Sequence, residues 1–255
     1  LTSDLFDLAG RLALVTGSSR GIGFALAEGL ARHGARLVLN GRDAARLDEA
    51  VAALRAEGHD AVASGFDVTD AQAASAGVEA IERDVGAIEI LVNNAGMQFR
   101  APLEQFPVET WDEMLRTNLS SMFYVARAVA PHMIARRRGK IVNIASVQSE
   151  LARPNIAPYT ATKGAVRNLT RGMCVDWAKH GIQVNAIAPG YFRTPLNQAL
   201  VDDPKFSAWL ATRTPAGRWG ELPELVGAAV FLAGPASSFV NGQTIYVDGG
   251  ITASL

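Results

Sequence analysis

The chain has 255 residues, a length compatible with one large α/β domain or two small ones. Folding at that size buries roughly 70–75% of the unfolded surface, so neither disulfides nor a structural metal is required. Apolar residues make up 49% and charged residues 19%, which excludes a disordered, collagen-like or coiled-coil chain. With 24 Lys plus Arg against 25 Asp plus Glu, the net charge is −1, so no basic excess exists to neutralise nucleic acid or an anionic membrane.

From the N-terminus, short β-branched or apolar runs predict strands over 11–16, 36–39, 61–66, 88–92, 140–144, 183–188 and 244–247,. Between the second and third, Leu47, Ala50, Val51 and Leu54 form one apolar helix face opposite Arg46, Glu49 and Arg55,. Strands that alternate with helical patterns, with neither a Pro/Ser-rich linker nor an internal repeat, imply right-handed crossovers between parallel strands. The expected fold is α/β: one domain over 1–255, a doubly wound (Rossmann) seven-stranded parallel sheet with helices on both faces. Ligands in such sheets bind beyond the carboxyl ends of the strands, where strand order reverses.

Cys174, the single cysteine, reads as a small buried hydrophobe,. His33, His59, His132 and His180 have no paired ligand spacing, so no metal site is expected. No apolar run is long enough to span a membrane, and Asp4 and Asp7 stand where a secretory signal would be basic and apolar, which predicts a cytoplasmic protein without a membrane partner.

The first strand runs into Thr16-Gly17-Ser18-Ser19-Arg20-Gly21-Ile22-Gly23 and then an apolar helix. Glycines there let the backbone approach a pyrophosphate, whose charge the helix N-terminus stabilises. At the end of the second strand, where an acid would bind the adenosine ribose, the chain has Asn40-Gly41-Arg42. A neutral Asn40, with Arg42 and Arg20 as charge-assisted donors to a 2′-phosphate, favours NADP over NAD. Asn93-Asn94-Ala95-Gly96 follows the fourth strand and Ser146 the fifth. Tyr159 and Lys163 stand at i and i+4, on one helix face,.

On these motifs the chain resembles the short-chain dehydrogenases/reductases. The resemblance rests on Thr16-Gly17-x3-Gly21-x-Gly23, Asn93-Asn94-Ala95-Gly96, Asn118, Ser146 with Tyr159 and Lys163, Pro189-Gly190 with Thr194, and Asp248-Gly249-Gly250. It extends over essentially the whole chain. Longer stretches, among them Ser146-Val147-Gln148-Ser149-Glu150-Leu151 and Arg213-Thr214-Pro215-Ala216-Gly217-Arg218-Trp219-Gly220, are similar to members that interconvert D-gluconate and 5-keto-D-gluconate. The resemblance implies NADP(H) chemistry in a homotetramer. It implies a catalytic set of Asn118, Ser146, Tyr159 and Lys163, with Asn118 helping to hold a water that links the lysine to solvent. It further implies cofactor contacts from Gly17, Ser19, Arg20, Gly21, Ile22, Gly23, Asn40, Arg42, Asp67, Val68, Asn94, Ala95, Gly96, Pro189, Gly190 and Thr194, besides Tyr159 and Lys163.

Hydride transfer to a ketone builds negative charge on its oxygen. Tyr159 is the expected acid/base and Ser146 the second donor, with Lys163 expected to lower the phenol's pKa. For a sugar acid, Arg100 is the first candidate to meet the carboxylate, and Arg153 or Arg193 the reserves. Gln148, Glu150 and Tyr191 are the expected hydroxyl contacts, and 190–220 the segment covering the substrate. Reduction of another carbonyl with NADPH, a 3-oxoacyl-carrier-protein or a neutral ketose, is the alternative reading. Ser146 lacks a G-x-S-x-G setting, which disfavours a serine hydrolase.

Overall fold

The computed structural model describes residues 5–254; Asp4 lies outside them. Seven parallel strands form one sheet: β1 (Leu12–Val15), β2 (Arg36–Asn40), β3 (Ala61–Ser64), β4 (Ile88–Asn93), β5 (Gly139–Ile144), β6 (Ile182–Pro189) and β7 (Thr244–Val247). The helices are α1 (Gly21–Arg32), α2 (Ala44–Ala56), α3 (Ala71–Asp84), α4 (Val108–Leu115), α5 (Ser121–Arg136), α6 (Ala157–Trp177), α7 (Gln198–Val201), α8 (Pro204–Arg213) and α9 (Val226–Ala233).

Side chains alternate across the pleat, and both faces are dry. Ala13 and Val15 of β1, Leu37 and Leu39 of β2, and Ile90 and Val92 of β4 pack with Leu26, Leu30, Leu47, Val51 and Val230 of α1, α2 and α9. Leu12, Leu14, Val38 and Leu91 point the other way, against Val78 and Ile81 of α3, Val125 and Val129 of α5, and Met173 of α6. The apolar face read from the sequence of α2 is the one it buries: Leu47, Ala50, Val51 and Leu54. Asp43 caps that helix by accepting from the Arg46 N–H at 3.2 Å, which satisfies one of the free amides of the first turn.

Strand order is β3-β2-β1-β4-β5-β6-β7. The reversal lies between β1 and β4, whose last pair is Val15 with Val92. Diverging connections there open a crevice at the carboxyl edge of the sheet. Among the described residues, no helix is long and apolar enough to cross a membrane.

Candidate active site

A cleft of about 660 Å³ occupies the crevice, within the range of small-molecule sites. Its floor is the turn from β1 into α1. Gly17 has φ +62°, and a Cβ there would stand 2.9 Å from the Ala95 Cα. A Cβ on Gly23 would run into the Gly17 carbonyl and the Asn94 amide. Only glycine permits the turn to lie this close to the end of β4. Two polar side chains then lock it. The Thr16 hydroxyl accepts from the Asn94 and Ala95 N–H groups at 3.0 and 3.1 Å, and the Asn94 side chain donates to the Thr16 and Gly17 carbonyls at 3.0 and 2.9 Å. Arg20, at the N-cap of α1, makes no side-chain cap, so the helix presents its first amides towards the cleft.

Gly17, Ser19, Arg20, Gly21, Ile22, Gly23, Asn40, Arg42, Asp67, Val68, Asn94, Ala95, Gly96, Pro189, Gly190 and Thr194 all line the cleft, with Ser146, Tyr159 and Lys163. Several do so in other ways than their spacing suggests. Asn40 is 1% exposed, and its amide donates to the Ser64 and Phe66 carbonyls at 2.9 and 3.1 Å. Its side chain pins β2 to the end of β3 and is not a free donor to a phosphate; the exposed cations at this end include Arg20 and Arg42. Asp67 accepts from the Thr69 N–H and hydroxyl, both at 2.8 Å. Burial works against its ionisation, but those bonds and the Arg42 charge outweigh it and hold the carboxyl below the usual range,. Arg46 also lines the cleft and pairs with Asp43 at 3.2 Å. By spacing alone Arg46 belongs only to the polar side of α2; an arginine in the first turn after an N-cap acid is the signal for its place here.

At the other end, Ser146 follows β5 and accepts from the Gln148 N–H at 3.2 Å. Tyr159 and Lys163 come from the first two turns of α6. Burial pushes the Tyr159 phenol up, opposed by the neighbouring Ser146 hydroxyl and by the charges of Arg100 and Arg153. Lys163 is 4% exposed, and burial pushes it down to about 8. Its ammonium donates to the Ile144 carbonyl at 2.7 Å and stands 5.6 Å from the Tyr159 ring centroid. The lysine is thus drawn to the end of β5, and Tyr159, half-buried, lies beside it on the same face of α6.

Asn118 sits in a π-helical turn, Arg116–Ser120, between α4 and α5. It is fully buried, accepts from the Met97 N–H at 2.7 Å, and donates to the Met97 carbonyl at 2.9 Å and the Thr162 hydroxyl at 3.2 Å. The extra residue of the turn turns this amide inward, where it ties the loop after β4 to α6.

Beyond Tyr159, the expected substrate residues divide. Arg100 and Arg153 both act on Tyr159 and on Tyr191, and Gln148 donates to the Tyr191 hydroxyl at 3.5 Å. Arg100 also donates to Gln98 at 3.1 Å and Asn197 at 3.5 Å. Glu150 turns elsewhere, paired with Arg167 of α6 at 2.5 Å. Arg193 pairs with Glu221 at 3.0 Å on the exposed side of its loop. Each has its counter-charge on a neighbouring element.

A family model described as enoyl-(acyl carrier protein) reductase matches residues 17–252. The gluconate 5-dehydrogenase of Gluconobacter oxydans (strain 621H) is 64% identical over 252 residues, which cover 99% of this chain and 98% of that protein. The 5-keto-D-gluconate 5-reductase of Escherichia coli (strain K12) is 53% identical over 253 residues, 99% of this chain and 100% of that one. Among solved structures, a gluconate 5-dehydrogenase from Burkholderia cenocepacia J2315, in complex with NADP and tartrate, superposes with a TM-score of 0.98 at 58% identity, covering 100% of both chains.

Proposed function

Because the chain belongs to the short-chain dehydrogenase/reductase family and is an oxidoreductase of the gluconate 5-dehydrogenase type, we propose that it interconverts D-gluconate and 5-keto-D-gluconate with NADP(H). The observation that carries this reading is that Ser146, Tyr159 and Lys163 line one end of a glycine-floored cleft, with the charges of Arg100 and Arg153 acting on the phenol.

The cleft fits the dinucleotide: its turn tolerates no Cβ at Gly17 or Gly23, and Arg20 and Arg42 stand at the end where a 2′-phosphate would lie. When bound, NADPH supplies the hydride and NADP⁺ accepts it. Tyr159 gives its proton to the carbonyl oxygen in reduction and takes it back in oxidation, and Ser146 is the second donor to that oxygen. Lys163 supplies positive charge one helical turn away and replenishes the proton. Asn118 acts as a positioning residue, holding the 94–97 loop against α6, and helps to hold a water that links the lysine to solvent. Arg100 takes the sugar-acid carboxylate, and Gln148 and Tyr191 take hydroxyls. The 190–220 segment covers the substrate, with Tyr191 packed on Phe206 of α8 at 5.6 Å between ring centroids. Assembly as a homotetramer is supported by Val108, Trp111 and Phe123, apolar residues that α4 and α5 leave exposed,.

The deciding experiment is a panel of 5-ketogluconate, an acyl thioester and a neutral ketose, each with NADPH and with NADH. Efficient reduction of 5-ketogluconate with NADPH is expected; reduction of only the thioester or the ketose would overturn the substrate assignment.

A further inference from the structure

One carboxylate needs one guanidinium, yet the mouth beyond Tyr159 holds two. Among the described residues, no carboxylate lies within 4.0 Å of Arg100 or Arg153, whereas Arg167 and Arg193 nearby are each matched by a glutamate. The Nε atoms of both unmatched arginines are buried without a partner, as is the Gln148 carbonyl oxygen. The Arg153 guanidinium is seated over the Phe206 ring, 5.5 Å from its centroid. Burial, and then the Arg153 charge, push the Arg100 pKa down, so the two cations feel one another across a partly dry space.

We propose that Arg100 and Arg153 together make this mouth a dicarboxylate site, which holds an open-chain hydroxy diacid more tightly than a sugar monoacid of the same length. The proposal rests on the reading above that the substrate lies beside Tyr159. Each guanidinium can grip a carboxylate with two parallel hydrogen bonds. A monoacid leaves one of the two cations without a counter-charge in a partly buried site, whereas a diacid answers both and removes their mutual repulsion. The Phe206 ring, itself packed on Tyr191, backs the Arg153 guanidinium and favours its standing at the mouth,.

D-Glucarate and D-gluconate have the same carbon chain and hydroxyls and differ at C6, carboxylate against hydroxymethyl, which makes them the probe pair. Calorimetric titration of each into the NADPH-loaded protein measures binding alone, since the reduced cofactor cannot oxidise either alcohol. Glucarate is expected to bind about tenfold tighter or better, with a steeper loss of affinity on adding salt. Arg153→Gln should bring the ratio to within about threefold while NADPH affinity, the control for folding, stays unchanged. Equal affinities in the intact protein, or a ratio untouched by Arg153→Gln, would overturn the dicarboxylate site. The two readings fail separately. A protein that does not reduce 5-ketogluconate but keeps the Arg153-dependent ratio retains this site and loses the proposed reaction; one that reduces it with no glucarate preference does the reverse.

Discussion

Lys163 and Ile144 are joined by a 2.7 Å hydrogen bond from ammonium to carbonyl, so the second turn of α6 is fastened to the end of β5 through the same side chain that the proposed proton relay uses. The lysine thereby keeps α6 in register with the sheet edge, and Tyr159, one turn earlier, inherits its position from that bond.

Replacing Tyr159 by Phe should lower kcat by about 10²–10⁴-fold while leaving NADPH binding nearly intact, because only a proton donor is lost. Lys163→Ala should damage both turnover and cofactor affinity. Steady-state kinetics alongside fluorescence titration of NADPH separate the two. Near-normal turnover in Tyr159→Phe would show that the relay is misassigned.

Cofactor preference should favour NADP(H) over NAD(H) by about tenfold, equivalent to about 1.4 kcal/mol, and Arg42→Ala should narrow the gap. Equal kcat/KM with both cofactors in the intact protein would contradict the role given to Arg20 and Arg42.

Asn40→Asp should not act as a simple switch towards NAD. A carboxylate at this 1% exposed position would face the Ser64 and Phe66 carbonyls, to which the amide now donates, and would cost about 2–4 kcal/mol of stability. Denaturant unfolding measures it. A variant as stable as the parent, with NAD preferred, would mean that the side chain leaves these carbonyls and reaches the cleft.

Lys140 of β5 is 5% exposed, bonded to the Ser237 hydroxyl at 3.0 Å, and pushed down from 10.5 to about 8 by burial and by the nearby Arg11. The unfolded chain binds more protons at this group between those two values, so stability should rise with pH from about 8 to 10 and lie lowest, for this group, below 8. Lys163, lowered for the same reason, adds to the rise. Lys140→Met should stabilise the protein by about 1–2 kcal/mol near pH 7 and flatten part of the slope, as read by urea midpoints across pH. An unchanged midpoint near neutrality would argue that the ammonium is better solvated than its setting implies.

The strands and the glycine turn were legible because their signals are local. Alternation placed β7 at its observed bounds and the others within one or two residues at each end, and three glycines between a strand and a helix admit few other conformations. The orientation of single side chains was not legible. Asn40 turns towards carbonyls at and just beyond the end of β3, which lies on from it in sequence and beside it only through sheet register. Glu150 finds Arg167 across the start of α6. The spacing of Tyr159 and Lys163 showed a shared helix face, but not that a strand-end carbonyl would take the ammonium. Asn118 came from the resemblance alone; a π-helical turn has no sequence signature.

The bonds from the Asn94 and Ala95 amides to the Thr16 hydroxyl span 78 and 79 residues, and they lie at the one seam where β1 meets β4. A polypeptide ending before Ile88 would leave β1 with a bare edge of unpaired amides and carbonyls, flanked by the apolar side chains of Leu12 and Leu14, an invitation to pair with another chain. Cut at this seam, the two halves would be poor candidates for separate expression, and each would need the other present to stay in solution. Circular permutants should be opened elsewhere, in surface turns such as the one at Gly58, where a Cβ would meet nothing within 4 Å,.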